Sequence, residues 1–532
     1  MNLPWTDKNE YAIFDFMKGL LALFILCWAP LAAFEGFYVG GSMGGHLTEG
    51  AQAGSAHGTY DFGGGSVGVY PADLQQGLFD HGIAGILYAG YGACFDCFYM
   101  GAEGFLQFGD ATLQNAQRNS HLTYRDVITG VDIIHDLSAS VKGKTTCCQG
   151  GVDFLPGIVI DPVTLIYGRV GVSVARTSLK IDSVHSGVEN GPTNWNQSLK
   201  LSKDRTRAAF RAGAGLEQRL TPRISLRADY IYTDYGKLSL RGSLAGVTSG
   251  IFAAPVTVSN FDKLHIYDHA VLLGLNYRFS CMEPFCWDPC CAEDAYCGIY
   301  FGGAIGGGDL ETTQHGGVVG QDLGFDNLYQ SSNVLSQLYN NQFQGMLFLG
   351  YGQPCGRLYL GGEIFAQAAT HTVMDAQGRA LYENGAVRYE TSYDTSARSS
   401  TWQYGFDFRP GALLTPFTLL YGRVGVSAAE IKADSHALLS GIQPFIPLSF
   451  SLPDDVSAKQ WKAAFRLGLG IEHLLTSKLY LRADYIFTNY GFISFDSTAT
   501  GVDSNGNAIS LSNTLTSHLR NNAIVLGLSY HL

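Results

Sequence analysis

At 532 residues the chain exceeds one ordinary domain. Its 66 Gly, 29 Tyr and 31 Phe, against 15% charged residues, favour short, closely packed strands over helices, so the expected class is all-β. The net charge of −12 comes without a block of Lys or Arg, which argues against nucleic acid as a partner, because phosphate recognition needs clustered cations.

Residues 1–33 read as a polar upstream segment followed by an export signal. From Met17 the chain runs Met-Lys, then Gly-Leu-Leu-Ala-Leu-Phe-Ile-Leu-Cys-Trp-Ala, then Pro-Leu-Ala-Ala, with cleavage expected after Ala33. The apolar stretch falls short of the ~20 residues a spanning helix needs. Beyond residue 34 no apolar run reaches that length, so a membrane crossing has to be a closed sheet with every backbone group paired.

An internal repeat organises the rest. Gly36-Phe-Tyr-Val-Gly-Gly returns as Gly298-Ile-Tyr-Phe-Gly-Gly, Tyr167-Gly-Arg-Val-Gly-Val-Ser as Tyr421-Gly-Arg-Val-Gly-Val-Ser, and Leu226-Arg-Ala-Asp-Tyr-Ile as Leu481-Arg-Ala-Asp-Tyr-Ile. The order is kept, which marks a domain duplication: residues 34–280 form one copy, 281–297 a cysteine-rich periplasmic linker, and 298–532 the second copy.

The first copy divides into eight candidate strands near 37–50, 82–92, 98–110, 150–160, 165–181, 205–220, 225–238 and 263–279. Tight turns at Ala93 to Cys97, Asp161 to Thr164 and Thr221 to Ile224 alternate with long polar stretches near 51–81, 111–147, 182–204 and 239–262, read as loops. The second copy repeats the tight turns at Gln353-Pro-Cys-Gly, Thr415-Pro-Phe-Thr and Thr476-Ser-Lys. Short turns on one rim and long connections on the other predict antiparallel up-and-down barrels of the outer membrane.

Alternation assigns the two faces. Ile166, Val170, Val172 and Val174 share one side of their strand, and Leu226, Ala228, Tyr230 and Tyr232 one side of theirs, which suits hydrocarbon. The charges then point into the lumen. Glu103, Asp153, Arg169, Arg211, Glu217, Arg227 and Asp229 recur as Glu363, Asp407, Arg423, Arg466, Glu472, Arg482 and Asp484. Ions in a narrow, dry lumen are tolerable only when paired and hydrogen-bonded, so an ionic plug is expected in each copy. One barrel of sixteen strands would keep the same strand order. A compact charge set in each half, with a closing-strand pattern in each, favours two eight-stranded barrels instead.

The eight-strand layout, the Tyr-Gly-Arg-Val-Gly strand, the stretch Arg-Ala-Asp-Tyr-Ile-Tyr-Thr-Asp-Tyr-Gly at 227–236 and the closing Leu-Gly-Leu-Asn-Tyr-Arg-Phe at 273–279 resemble the small outer-membrane β-barrel family. That family includes opacity-type and immunogenic surface proteins and barrels of the OmpA type. The resemblance covers both copies and implies a plugged lumen, location in outer-membrane lipid and insertion by the barrel assembly machinery. Two features depart from it: the barrel is doubled, and the final residue is Leu532, where the family usually ends on Phe, as the first copy does at Phe279.

Cys27 falls in the signal, leaving ten cysteines, an even number that suits an oxidising compartment. Cys94, Cys97 and Cys355 fall in tight turns, and Cys281, Cys286, Cys290, Cys291 and Cys297 in or beside the linker. Cys147 and Cys148 are adjacent in a long connection. Cys286-x3-Cys290-Cys291 lacks the Cys-x2-Cys spacing of zinc modules, so disulfides within the chain or to neighbouring envelope proteins are expected, without metal or cofactor. This habit resembles the cysteine-rich envelope proteins of chlamydia-like bacteria. No Gly-x-Ser-x-Gly elbow appears, and Asp268-His269 and Ser517-His518 have no evident third partner, so catalysis is not expected. The expected role is a structural and surface-interaction one, touching host or cell-surface ligands through the long connections. The alternative is a porin passing small solutes.

Overall fold

The computed structural model describes residues 34–279 and 295–532, apart from short stretches at 64–65, 96, 126–131, 146–147, 190–192, 250–252, 323–327, 370–373, 385–386 and 444–447. The expected signal and most of the expected linker therefore lie outside the described residues. The described chain is all-β and antiparallel throughout, and it contains no helix long and apolar enough to cross a membrane.

The first copy contributes β1 (Gly36–Gly63), β2 (Ser66–Phe95), β3 (Phe98–Phe108), β4 (Ala111–Arg125), β5 (Asp132–Thr145), β6 (Cys148–Asp161), β7 (Thr164–Glu189), β8 (Thr193–Arg219), β9 (Ile224–Val247) and β10 (Pro255–Arg278). The second contributes β11 (Gly298–Asp322), β12 (Leu328–Cys355), β13 (Leu358–Ala369), β14 (Met374–Asn384), β15 (Val387–Thr415), β16 (Thr418–Gln443), β17 (Leu448–Leu474), β18 (Leu479–Val502) and β19 (Ala508–His531).

At the short-turn end the pairing closes on itself within each copy. β1, β2, β3, β6, β7, β8, β9 and β10 follow edge to edge, and β10 returns to β1 from Tyr38↔Arg278 onward. In the second copy β19 returns to β11 in the same way, from Tyr300↔His531. A single ring at this level would need β10 beside β11 and β19 beside β1. Instead, each last strand pairs with the first strand of its own copy.

The stretches read as loops are mostly strand. β1 and β2 pair from Gly36↔Gly92 out to Gly63↔Ser66, and β7 and β8 from Thr164↔Gln218 out to Glu189↔Thr193. The polar composition hid a period of two: β5 alternates exposed or half-buried residues with buried Ile133, His135, Leu137, Ala139 and Val141. Apart from His135, these buried members are apolar and pack the interior of a tall barrel.

At the far end the two copies trade edges. β3 leaves β2 beyond Gly85↔Phe108 at Gly109, whose φ of 143° is a conformation open to glycine, and continues as β4. There β4 pairs with β12 of the other copy from Gln117↔Leu335 to Thr123↔Tyr329, and β2 pairs with β14 at Leu74↔Gly378 and Val69↔Glu383. The walls thus begin as two rings and merge into a common distal wall, interrupted between β8 and β9 and between β17 and β18. One apolar cluster spans both copies inside it, including Leu179, Ile181, Leu199, Leu264 and Ile266 of the first and Tyr389, Leu439, Phe450, Ile509 and Leu511 of the second.

Around the short-turn half, large apolar side chains face outward: Phe37, Met43, Leu87, Val170, Val172 and Leu275 on one ring, and Ile305, Leu347, Ile364, Val426, Leu469 and Leu526 on the other. Trp402 and Trp461 are exposed at its upper margin, the position of an interfacial aromatic girdle. This band is the hydrocarbon-facing surface, and the short turns mark the periplasmic rim. Val170, Val172 and Val174 are more than half exposed, as the alternation predicts, whereas Leu226, Ala228, Tyr230 and Tyr232 share an outer face that is half-buried.

Candidate functional site: a neutral ionic layer in each lumen

The inward positions of β3, β6, β7, β8 and β9 bring all seven predicted charges of the first copy together, each no more than 3% exposed. Glu103 accepts from Arg227 Nη1 at 2.6 Å, Arg169 Nη1 at 3.1 Å and the Tyr38 hydroxyl at 3.2 Å. Asp229 accepts from Arg227 Nε at 2.8 Å, Arg169 Nη2 at 3.1 Å and the Tyr167 hydroxyl at 2.7 Å. Asp153 pairs with Arg169 and, at 3.3 Å, with Arg211 Nε. Aromatic rings complete the layer: the Arg211 guanidinium lies 3.9 Å from the Phe105 ring centroid, and that of Arg227 lies 4.2 Å from Tyr88.

The second copy repeats the layer. Glu363 accepts from Arg423 and from Arg482 Nη1 at 2.7 Å, Asp484 from Arg482 Nε at 2.6 Å and the Tyr421 hydroxyl at 2.7 Å, and Asp407 from Arg423 Nη2 at 2.8 Å. Arg466 lies 3.9 Å from the Phe365 ring, matching Arg211 over Phe105.

Sequence reasoning missed one arginine in each copy. In the first, Glu217 takes its cation from Arg278 on β10, at 2.9 Å. In the second, Glu472 takes it from Arg409 on β15, at 2.7 Å. The repeat alignment puts His531 where the first copy has Arg278, and Leu155 where the second has Arg409. The guanidinium has thus moved from the eighth strand to the fourth while keeping its carboxylate. With this arginine counted, each layer holds four Arg against two Asp and two Glu and is formally neutral. The signal was present as an excess carboxylate in each predicted set, but the position-by-position repeat concealed it.

Glycine lets these charges meet. A Cβ on Gly171 would lie 2.0 Å from Asp153 Oδ1 and 2.3 Å from the Val152 carbonyl, and Gly425 stands in the same relation to Asp407 and Phe406. Gly171→Ala is expected to destabilise the refolded protein by about 1–3 kcal/mol through overpacking, read as a lowered urea midpoint. An unchanged midpoint would show that the layer is loosely packed.

Other layers stack along each lumen. Below the first ionic layer sit Phe34, Tyr99, Leu155, Val159 and Leu165; above it sit Ala84, Ile86, Ile231, Ala270 and Leu272. In the first copy a polar step follows, where His46 Nδ1 lies 2.9 Å from Asp268 Oδ1 and Thr48 donates to the same oxygen at 2.6 Å. In the second copy the corresponding step is made of amides, Gln342 and Gln344 donating to Asn521 at 2.7 and 3.1 Å.

Where the two barrels touch, polar groups occupy outward positions. Gln218 Oε1 accepts from Thr164 at 3.0 Å and from Thr418 of the other copy at 3.1 Å. Farther out, His81 Nε2 lies 2.9 Å from Glu311 Oε2, and Asn522 donates to Glu311 Oε1 at 2.8 Å. These contacts explain why some outer faces are not wholly apolar.

Of the cysteines expected to form disulfides, Cys94, Cys297 and Cys355 instead carry free thiols near the short-turn rim, Cys97 is buried in the turn after β2, and Cys148 is exposed at the start of β6. Cys147, Cys281, Cys286, Cys290 and Cys291 lie outside the described residues. Among the described residues no group of three or more His, Cys, Asp or Glu is placed to hold a metal ion.

Paired strands, an outward apolar band and a charged interior define a transmembrane β-barrel protein of the outer membrane. The sequence matches the outer membrane protein β-barrel domain over residues 19–279 and 298–531, and the chain belongs to that family. Among solved structures it is similar to a FadL homologue of Pseudomonas aeruginosa, at 12% identity over 94% of this chain and 91% of that one, with a TM-score of 0.20. It is also similar to Ail, the attachment invasion locus protein of Yersinia pestis, at 12% identity over 40% of this chain and 98% of that one, with a TM-score of 0.15. The outer membrane protease OmpT of Escherichia coli aligns at 8% identity, covering 93% of this chain and 97% of that one, with a TM-score of 0.13. No curated protein matches the sequence.

Proposed function

We propose that the protein is a structural and surface-interaction component of the outer membrane, without catalytic activity. Its two filled barrels act as pillars that hold a shared distal wall outward, for contact with host surfaces or other cells. The observation that supports this reading is the neutral ionic layer, fully buried in each lumen and stacked between apolar layers. An open porin lumen is lined by water and has no need of arginines that spend every charge on a neighbour. Cys94, Cys297 and Cys355, whose thiols are free within the chain, serve in this reading as cross-links to neighbouring envelope proteins.

The test is electrical. Refolded protein in a planar lipid bilayer is expected to give no regular single-channel steps. Large, reproducible steps would overturn the pillar reading in favour of the porin.

A further inference from the structure

The wall of each copy is split between its sixth and seventh strands. The β8–β9 ladder ends at Phe210↔Asp234, although β8 runs on to Thr193 and β9 to Val247. The split begins beside Gly236, whose φ of 74° accompanies a register shift between β9 and β10. It ends at the tip, where Asn194 and Ser249 exchange backbone hydrogen bonds at 3.1 and 2.9 Å. Between these points two strand edges face each other with no backbone hydrogen bond across. The second copy has the same gap beyond Phe465↔Asn489, beginning beside Gly491 with a φ of 76°.

Side chains stand in for the missing ladder in the first copy. Arg207 donates to the carbonyls of Tyr235 and Lys237 at 3.1 Å each, and Lys203 Nζ donates to the carbonyl of Ser239 at 2.7 Å. Behind them Leu201 and Leu240 are only partly buried against the distal apolar cluster. Lys200, Lys203, Arg205, Arg207, Lys237 and Arg241 line the two edges, and the nearby Asp204 is already paired with Arg176 at 2.7 Å. In a chain of net charge −12 this is a concentrated basic margin. The matching edges of the second copy carry Asp454, Asp455 and Asp496 against Lys459 and Lys462.

We propose that the gap between β8 and β9 is a docking seam for an extended, acidic polypeptide segment, bound by strand addition. An incoming strand supplies backbone N–H groups to the carbonyls that Arg207 and Lys203 now occupy. On the outward face of the seam stand Lys200, Lys237 and Arg241, and carboxylates on the outward-facing alternate residues of the segment meet them. Its inward-facing alternate residues rest on Leu201 and Leu240, so the segment alternates acidic and apolar side chains. This rests on the surface-interaction reading but stands on a different part of the molecule from the filled lumens.

The test uses the full-length protein refolded in detergent micelles and a fluorescent peptide of alternating Glu and Val, followed by anisotropy. Saturable binding is expected, weakened at least tenfold by N-methylation of alternate backbone amides. The exposed double variant Lys237→Glu/Arg241→Glu is expected to weaken binding at least tenfold, and a Lys/Val peptide is expected not to bind. Absence of saturable binding, or binding indifferent to N-methylation or to the charge reversal, would overturn the seam. Bilayer conductance, read separately, decides the pillar reading whichever way the seam test falls.

Discussion

Arg409→Leu is expected to lose roughly 3–5 kcal/mol of stability, the usual effect of removing one partner from a buried ion pair. Its guanidinium donates to Glu472 Oε2 at 2.7 Å and approaches Glu363 Oε2 at 3.4 Å, and all three side chains are fully buried. Adding His531→Arg to the same chain is expected to recover most of the loss, because it rebuilds the pairing of the first copy, where Leu155 stands on the fourth strand and Arg278 serves Glu217 from the eighth. Urea midpoints of wild type, single and double variants in detergent would measure this. A double variant no more stable than Arg409→Leu would show that the relocated arginine is not interchangeable between strands.

Acid is expected to loosen the distal part of the first copy while leaving the lipid-facing half intact. His135 on β5 and His185 on β7 pack against Trp195 on β8, with ring centroids 5.0 and 5.7 Å apart, and Tyr60 on β1 stacks on Trp195 at 4.8 Å. Burial holds His185 down to about 4, a backbone hydrogen bond at Thr257 and the charge of Asp136 opposing the shift. Burial also lowers His135, and His185 beside it lowers it further. The folded state thus stays neutral where the unfolded chain, near 6.5, takes up protons. The stabilisation is complete above pH 6.5 and declines as pH falls through 6.5 toward 4. At about 1.4 kcal/mol per pH unit, His185 alone contributes a loss of roughly 3 kcal/mol. Trp195 fluorescence titrated from pH 7 to 4 would report the opening, and His185→Phe should flatten the curve. A flat wild-type curve would contradict the neutral cluster.

How far these sites could be read from sequence depends on how local their signals are. The inward charges were legible because strand period fixes the face: a slip of one residue would have put Arg169 or Arg227 against lipid. Arg278 and Arg409 were not, since each repeats the function of the other and not its position. The distal strands escaped notice because their buried positions are often small or polar, such as Ala139, Ser183 and His185, so composition resembled loop. Gln218, Thr418 and Glu311 broke the outer-face pattern only because another barrel covers them, and the exchange of β4 and β14 between copies leaves no local trace at all.

That exchange bears on how the duplication has been kept. A chain with only the first copy could close its base, yet β2 and β4 would each lose a neighbour at the far end. Uncovered edges of that kind invite aggregation. With β4 paired to β12 and β14 to β2, removal of either half is expected to leave these edges open. The doubling then behaves as a ratchet: two genes' worth of barrel are inherited as one indivisible fold.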